Sequence, residues 1–305
     1  MWSAIAESIS LETGRQFIIT NRHEVAGGDI NLAYILEGEF QNTPEFKDTK
    51  SLTKKYFVKI NHKDQLSLFD TELDNLQHIN NLSSIKTTSP ITIGKTLDKS
   101  FLVLRYENLS LARYENWHGL GNQLARMHLN TSHGQFGWHQ DNYIGSSIQV
   151  NRWQSNWRTF FAEQRIGWQL QVLAEKSIKI GDIDHIVKIC HDLLLHHQVT
   201  PCLVHGDLWQ GNVGFVDNHP IIYDPACYFG DREVDIAMTE LFGSFPTEFY
   251  QGYESTYPLN KGYEQRKMVY NFYHVLNHLN MFEHEYLEQA KSALSRIIAE
   301  YQVNF

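Results

Sequence analysis

The chain has 305 residues, 42% hydrophobic and 20% charged, which is the composition of a globular protein, and its length predicts about two domains. Its formal net charge of −9 argues against a nucleic-acid partner held mainly through phosphate contacts. The sequence shows no apolar run as long as a membrane span, no signal-peptide pattern and no CxxC pair among its three cysteines. We therefore expect a cytoplasmic protein that binds neither nucleic acid nor membranes.

The first third of the chain has the pattern of short strands. "SAIAESISLETG" predicts a leading helix that ends at Gly14, and three β-like runs follow it: "QFIIT", "LAYILEGEF" and "KYFVKI". A helix is then predicted over Ser67–Leu82, because Phe69 and Leu76 recur at helical spacing. "ITIGKTL" and "SFLVLRY" complete this part as two further strands.

The chain after Tyr106 is predicted to be mainly helical. The helical segments are "WHGLGNQLARMHLN", "WQSNWRTFFAEQRIGWQLQVL", "DIDHIVKICHDLLLHH" and the stretch from Gln265 to Tyr301. Within this part, "CLVHG", "NVGFV" and "PIIYD" read as short strands. The sequence therefore predicts an α+β fold, with a strand-rich lobe at residues 1–107 and a mainly helical lobe at residues 108–305.

The most informative segment is "LVHGDLWQGNVGF", a polar loop between two apolar runs. Asn212 follows Asp207 by five positions, which is the spacing of the catalytic loop of phosphoryl-transfer kinases. The Asp207 carboxylate could accept the proton of an acceptor hydroxyl, and the Asn212 amide oxygen could bind Mg²⁺ without adding charge. Gly206 and Gly211 are expected to let the backbone turn sharply beside them.

A second carboxylate, Asp224, ends the apolar run "PIIYD" twelve residues after Asn212. A carboxylate that leaves a buried strand at this point suits a Mg²⁺ ligand. Either Asp207 or Asp224 alone would more often have a structural role. Together, at kinase spacing, they favour phosphoryl transfer, with Asp207, Asn212 and Asp224 as catalytic residues and ATP with Mg²⁺ as cofactors.

The strand-rich lobe should then hold the nucleotide. Gly27 and Gly28 could form a hairpin turn whose backbone N–H groups approach phosphate oxygens, although such turns are common in any hairpin. Lys59 lies within an apolar strand, and Glu72 shares the apolar side of the following helix, so the two are predicted to form the ion pair that orients a kinase lysine. Adenine could be read by the backbone at the end of "FLVLRYENL", at Arg105, Tyr106 and Glu107.

Taken together, "HGDLWQGN", "YDPACYFGDREVDIAM", "NRWQSNWRTFF" and "FGWHQDNYIGS" resemble the fructosamine kinase, or ketosamine-3-kinase, family. The HGD loop is shared more widely with aminoglycoside phosphotransferases and choline kinases. The resemblance covers nearly the whole chain. It implies a bilobal protein-kinase-like fold and ATP-dependent phosphorylation of the 3-hydroxyl of a ketosamine, a small molecule or a glycated protein, which leads to deglycation. Bacterial relatives tend to favour ribulosamine over fructosamine adducts.

The resemblance also implies roles for individual residues. Asp207 would be the base, Asn212 and Asp224 the Mg²⁺ ligands, and Lys59 the phosphate contact oriented by Glu72. Asp235 resembles the buried acid that supports the catalytic loop, and an acid favoured by the dipole at a helix N-terminus is the alternative interpretation. The sugar adduct would contact four residues that could equally be core: Trp209, Asn151, Trp153 and Trp157.

One departure from the family concerns the glycine-rich turn. Many members carry a cysteine there that can join two subunits, whereas "AGGDIN" has none and places Asp29 in that neighbourhood. We therefore expect a monomer without redox control through this turn.

Two other functions remain open from the sequence. A kinase for another small hydroxylated amine, such as an aminoglycoside or choline, would suit the acidic residues Glu283, Glu285 and Glu288, which could equally be solvated. An inactive kinase fold serving as a binding module is less consistent, because such proteins usually lose the base or a metal ligand and both are present here.

Overall fold

The computed structural model describes residues 1–26, 30–41 and 53–304. The chain forms two compact units. We call them the N-terminal unit, Met1–Asn81 with Thr87–Leu109, and the C-terminal unit, Leu82–Lys86 with Ser110–Phe305.

The N-terminal unit is built on an antiparallel sheet. In chain order, the elements between Trp2 and Arg105 are α1 (Trp2–Thr13), β1 (Phe17–Val25), β2 (Leu32–Phe40), β3 (Lys54–His62), α2 (Leu66–Leu82), β4 (Lys86–Thr87), β5 (Pro90–Lys95) and β6 (Lys99–Arg105). The five-stranded sheet has the order β1-β2-β3-β6-β5. Helix α1 ends where predicted, because Gly14 adopts the left-handed conformation (φ 68°) that terminates a helix.

The core of this unit follows from the alternation of side chains along the strands. Val58 and Ile60 on β3 are buried and pack with Phe101 on β6 and with Ile5 on α1. The predicted hairpin is confirmed, since Val25 on β1 pairs with Ala33 on β2 in an antiparallel register. Its turn lies outside the described residues, and so do Gly27, Gly28 and Asp29.

The C-terminal unit contains most of the described helices and several short strands. Its helices are α3 (Tyr114–Asn130), α4 (Trp157–Phe161), α5 (Trp168–Glu175), α6 (Ile183–Leu193), α7 (Glu233–Leu241), α8 (Thr247–Glu254), α9 (Tyr263–Phe282) and α10 (Leu287–Asn304). Its strands are β7 (Asn142–Ile144), β8 (Ser147–Gln149), β9 (Cys202–Val204), β10 (Val213–Val216), β11 (His219–Ile222) and β12 (Tyr228–Gly230). Strand β7 pairs with β8, β9 with β12 and β10 with β11, all antiparallel.

The helix predicted from Trp153 onward begins four residues later than the sequence pattern indicates. Asn156 is the N-cap, and its side chain accepts a hydrogen bond from the Thr159 backbone N–H, so α4 begins at Trp157. Between α4 and α5 the chain makes a π-helical turn at Ala162–Gly167. Within the part of the chain that the structure describes, no helix combines the length and apolarity needed to cross a membrane.

Candidate active site

The loop that connects β9 to β10 carries the predicted catalytic residues. It starts at His205, turns at Gly206, where φ is +82°, and ends in a short 3₁₀ turn at Gln210–Asn212. A Cβ at Gly206 would lie 2.1 Å from the carbonyl oxygen of Ala226, so both the conformation and the close packing require glycine here. The sharp turn predicted at this glycine is therefore confirmed.

Gly211 lies within the 3₁₀ turn at Gln210–Asn212, so the backbone turns there as predicted. It is absent from the residues with positive φ, so the loop makes no left-handed turn there. A Cβ on Gly211 would instead lie 2.3 Å from the ring of Trp209. The missing side chain allows the indole to pack on the backbone, which orients an aromatic ring that remains 39% exposed.

Asp235, at the start of α7, anchors the first half of the loop. Its carboxylate accepts hydrogen bonds from the backbone N–H of His205 (2.8 Å) and of Gly206 (2.9 Å), and it lies 3.1 Å from Nε2 of His128. Burial alone would raise the pKa of Asp235, but the contact with His128 and the backbone donors bring it below its ordinary value. The predicted support of the loop by this buried acid is confirmed.

His205 itself is fully buried and connects the loop to the strand that precedes Asp224. Its Nδ1 accepts the N–H of Asp207 (3.3 Å), so Nε2 carries the proton and donates to the carbonyl of Tyr223 (3.1 Å). Burial lowers the pKa of His205, which favours this neutral form.

Asp207 and Asn212 lie together, as their spacing predicts. The amide nitrogen of Asn212 donates to the backbone carbonyl of Asp207 (2.8 Å) and lies 3.3 Å from its carboxylate. Both contacts are made by Nδ2 of Asn212 and do not involve Oδ1, which is the atom that could bind a metal. Burial and the nearby Asp224 carboxylate raise the pKa of Asp207 to about 7.

Asp224 follows β11 by two residues and has an exposed side chain. Its backbone is left-handed (φ 57°), which is uncommon for a residue other than glycine and is often found at functional sites. The charge of Asp224 adds to the effect of burial in raising the pKa of Asp207. The carboxylates of Asp207 and Asp224 and the amide oxygen of Asn212 are hard donors of the kind that Mg²⁺ prefers, so this set of residues would fit that ion.

The N-terminal unit contains the predicted ion pair. Nζ of Lys59, on β3, lies 2.7 Å from Oε1 of Glu72, on α2, and each side chain is 10% exposed. Glu72 faces inward because it follows Phe69 by three positions, on the buried side of α2. The predicted pairing is confirmed.

The chain after β6 carries the residues predicted to contact adenine. Arg105 ends the strand, and its N–H donates to the carbonyl of Ser89 (2.8 Å). Tyr106 and Glu107 follow in a segment without regular secondary structure, where both are half-buried, and Lys55 lies over the Tyr106 ring.

The four residues predicted to contact the sugar fall into two groups. Trp209 and Trp153 are about 40% exposed, at 39% and 41%, and Trp153 stacks on His133 with ring centroids 4.8 Å apart. Trp157 and Asn151 are buried. The Trp157 indole donates to the hydroxyl of Tyr270, and the Asn151 amide is bonded to protein groups.

A second buried polar cluster lies before and within α7. Asp231 lies 2.7 Å from Nε2 of His197 and accepts the hydroxyl hydrogen bond of Tyr270 (2.6 Å), while Glu233 forms a two-pronged pair with Arg266. His197, Asp231 and Glu233 could in principle hold a metal ion. The Arg266 guanidinium already neutralises Glu233, so the cluster fits a structural ion-pair network better. In the sequence, "GDRE" forms part of the family resemblance. The sequence could not show that Asp231 and Glu233 contact residues as distant in the chain as Tyr270 and Arg266.

The fold and the HGD loop with its aspartates define a phosphotransferase of the protein-kinase-like class. A family model described as fructosamine kinase matches residues 1–300. The chain belongs to this family, and it is a kinase. It is 45% identical over 301 residues to a "probable ketoamine kinase" of Vibrio vulnificus, covering 98% of this chain and 100% of that protein. It is 41% identical to a "probable ketoamine kinase" of Synechocystis, with 97% of each chain covered.

Solved structures agree on the fold. A "putative fructosamine-3-kinase" from Haemophilus somnus superposes with a TM-score of 0.88 at 33% identity, covering 97% of each chain. An aminoglycoside phosphotransferase crystallised with AMP-PNP and hygromycin B superposes with a TM-score of 0.61 at 12% identity, covering 97% of this chain and 98% of the other. At that identity the second likeness concerns the fold alone. The predicted α+β, protein-kinase-like fold is confirmed.

Proposed function

We propose that this kinase uses ATP to phosphorylate the 3-hydroxyl of ketosamines, and that the phosphorylated adduct then decomposes to release the amine. The observation that carries the proposal is the arrangement of the loop from His205 to Asn212. It holds the Asp207 carboxylate beside the Asn212 amide, where the charge of Asp224 acts on it, on a chain that matches the fructosamine kinase family over residues 1–300.

Asp207 is proposed as the base that accepts the proton of the substrate hydroxyl. A pKa raised to about 7 suits a group that must take a proton near neutral pH. Asn212 and Asp224 would hold Mg²⁺, which when bound neutralises the developing charge on the phosphate oxygens. Asp235 acts indirectly, because it fixes the backbone on which Asp207 is carried.

The N-terminal unit, residues 1–107 in our sequence-based division, is proposed to bind the nucleotide. Lys59 would contact the phosphates, and the buried contact with Glu72 would hold its amine in place. Gly27 and Gly28 would approach the phosphates through their backbone, and the segment at Arg105, Tyr106 and Glu107 would receive adenine. Support for ATP comes from phosphotransferases of the same fold that were crystallised with AMP-PNP or ATP.

The C-terminal unit, residues 108–305 in that division, is proposed to bind the ketosamine. Trp209 is the best placed of the predicted contacts, since it lies within the catalytic loop two residues after Asp207 and keeps an exposed face. Trp153 offers a second exposed aromatic face. Asn151 and Trp157 would act through packing, because their polar atoms already have protein partners.

The alternative substrate is another hydroxylated amine. Glu283, Glu285 and Glu288 are exposed at the end of α9 and the start of α10, where they could attract a polycationic aminoglycoside. The family match and the relatives named as ketoamine kinases favour the ketosamine.

A substrate panel tests the assignment. The purified chain is supplied with ATP and Mg²⁺ and with fructose-lysine, ribulose-lysine, kanamycin or choline, and ADP release is followed. We expect turnover of the ketosamines, with ribulose-lysine favoured over fructose-lysine. Turnover of kanamycin or choline alone would replace the proposal with the alternative, and glycated protein as a substrate can be compared in the same assay.

We further propose a cytoplasmic monomer. Cys190, Cys202 and Cys227 are all buried and form no disulfide, which fits a reducing compartment. Sedimentation of the purified chain with and without reductant would test the monomer, because a dimer that dissociates on reduction would contradict it.

A further inference from the structure

A buried network of amide side chains lies against the segment that follows Asp224. It consists of Asn142 on β7, Gln149 on β8 and Asn151 just after the hairpin, each 1% exposed. Amides at this depth are costly unless they are hydrogen-bonded, so their partners show what the network holds in place.

Two of these amides hold consecutive backbone carbonyls. Nε2 of Gln149 donates to the oxygen of Ala226 (3.1 Å), and Nδ2 of Asn142 donates to the oxygen of Cys227 (2.8 Å). These carbonyls lie two and three residues after Asp224. Gln149 also donates to Oδ1 of Asn142 (2.8 Å), so the two side chains fix each other.

The peptide of Ala226 also contacts the catalytic loop. Its N–H donates to the carbonyl of His205 (2.8 Å), and its carbonyl oxygen packs on Cα of Gly206 so closely that no Cβ would fit. The Ala226 backbone is therefore held both by the loop that carries Asp207 and by Gln149.

The outer side of the network is itself anchored. Arg165, fully buried in the π-helical turn, donates to Oδ1 of Asn151 (2.7 Å), and its guanidinium lies 4.1 Å from the ring centroid of Tyr228. The hydroxyl of Tyr273 donates to Oε1 of Gln149 (2.8 Å). A hydrogen-bonded set of this kind leaves the carbonyls of Ala226 and Cys227 little freedom to move.

We propose that Asn142 and Gln149 are positioning residues that set the place of Asp224 relative to Asp207, and through it the affinity for the metal–nucleotide complex. The proposal rests on the proposed function only in treating Asp224 as a metal ligand. Partners of metal ligands typically change metal affinity or activity by about 10- to 100-fold when they are removed.

The test uses the full chain and needs no ketosamine. Binding of the non-hydrolysable analogue AMP-PNP is measured by calorimetry with Mg²⁺ and with EDTA, for wild type, Asn142→Asp and Gln149→Met. Both substitutions preserve size and remove the donor to Cys227 or Ala226. Asn116→Asp is the matched control, because Asn116 is also buried and donates to a distant carbonyl, that of Asn218 (2.7 Å).

We expect each network variant to weaken Mg²⁺-dependent binding by about tenfold or more, with little change in EDTA, and Asn116→Asp to bind as wild type. Thermal unfolding identifies variants that remain folded, and Gln149→Met introduces no charge. Wild-type affinity in a folded variant would overturn the proposal. An equal loss with Mg²⁺ and with EDTA, or no Mg²⁺-dependent binding by wild type, would also overturn it. Failure of ketosamine turnover with these binding effects intact would instead reject only the proposed substrate.

Discussion

The substitution Asp235→Asn tests whether the buried acid supports the catalytic loop. The carboxylate receives two backbone N–H groups and lies beside His128. Asparagine keeps one oxygen, and its amide nitrogen would face a donor, so at least one loop N–H would lose its acceptor. A lost hydrogen bond to a charged group costs about 1.5–3 kcal/mol, and a buried donor left unsatisfied costs about 1–3 kcal/mol.

We therefore expect the free energy of unfolding to fall by about 3–5 kcal/mol, which a domain with a stability of about 5–15 kcal/mol can survive. Urea unfolding followed by circular dichroism measures this as a shift of the midpoint at constant slope. Asp182→Asn is the control, because Asp182 caps α6 through a single N–H, that of His185, and asparagine caps equally well. A change below about 1 kcal/mol for Asp235→Asn would refute the reasoning.

Three further predictions concern the loop and the pH dependence of stability. Asp207→Asn should abolish ketosamine turnover in a kinetic assay while AMP-PNP affinity stays within about tenfold, because a base acts mainly in the transition state. Gly206→Ala should destabilise the chain by more than about 1 kcal/mol in urea unfolding, because alanine meets both a positive φ and the Ala226 oxygen. Burial lowers the pKa of His274 from 6.5 to about 3, so unfolding takes up a proton between these pH values. The contribution of neutral His274 to stability is therefore fully present above pH 6.5. On acidification below that pH the free energy of unfolding falls by up to about 1.4 kcal/mol per pH unit, and His274→Phe should reduce that slope.

Each of these three predictions has its own contradicting result. Near-normal turnover by the Asp207→Asn variant would exclude Asp207 as the base. Gly119→Ala is the control for Gly206→Ala, since Gly119 lies within α3 and a Cβ added there would have no atom within 4 Å, so alanine should be neutral or stabilising. Equal effects at the two glycines would contradict the packing argument. An unchanged pH slope in His274→Phe would show that the proton is taken up elsewhere.

Local spacing explains why much of the site could be predicted from the sequence. Asp207 and Asn212 share one turn, so five positions suffice to bring them together, and Glu72 is directed inward by its helical phase relative to Phe69. Contacts of this kind depend on a few residues that are close together in the chain. They can be predicted from a motif of known spacing or from the period of the hydrophobic residues.

Partners that are distant in the sequence could not be predicted in the same way. The contacts of Gln149 with Ala226 and of Asn142 with Cys227 each join residues more than 75 positions apart, at 77 and 85. Nothing in "DNYIGSSIQ" indicates which carbonyls these amides reach, since any buried carbonyl would satisfy them. Asn151 was predicted near the sugar from the family resemblance, whereas its described amide contacts are with protein groups.

The most direct test of the central claim is to locate the transferred phosphate. Wild type and Asp207→Asn are incubated with ATP, Mg²⁺ and ribulose-lysine, and the product is examined by phosphorus–proton correlation NMR. The account predicts a single phosphate ester on the 3-hydroxyl with wild type and none with Asp207→Asn. A phosphate on another oxygen, or the same ester formed at a similar rate by Asp207→Asn, would contradict it.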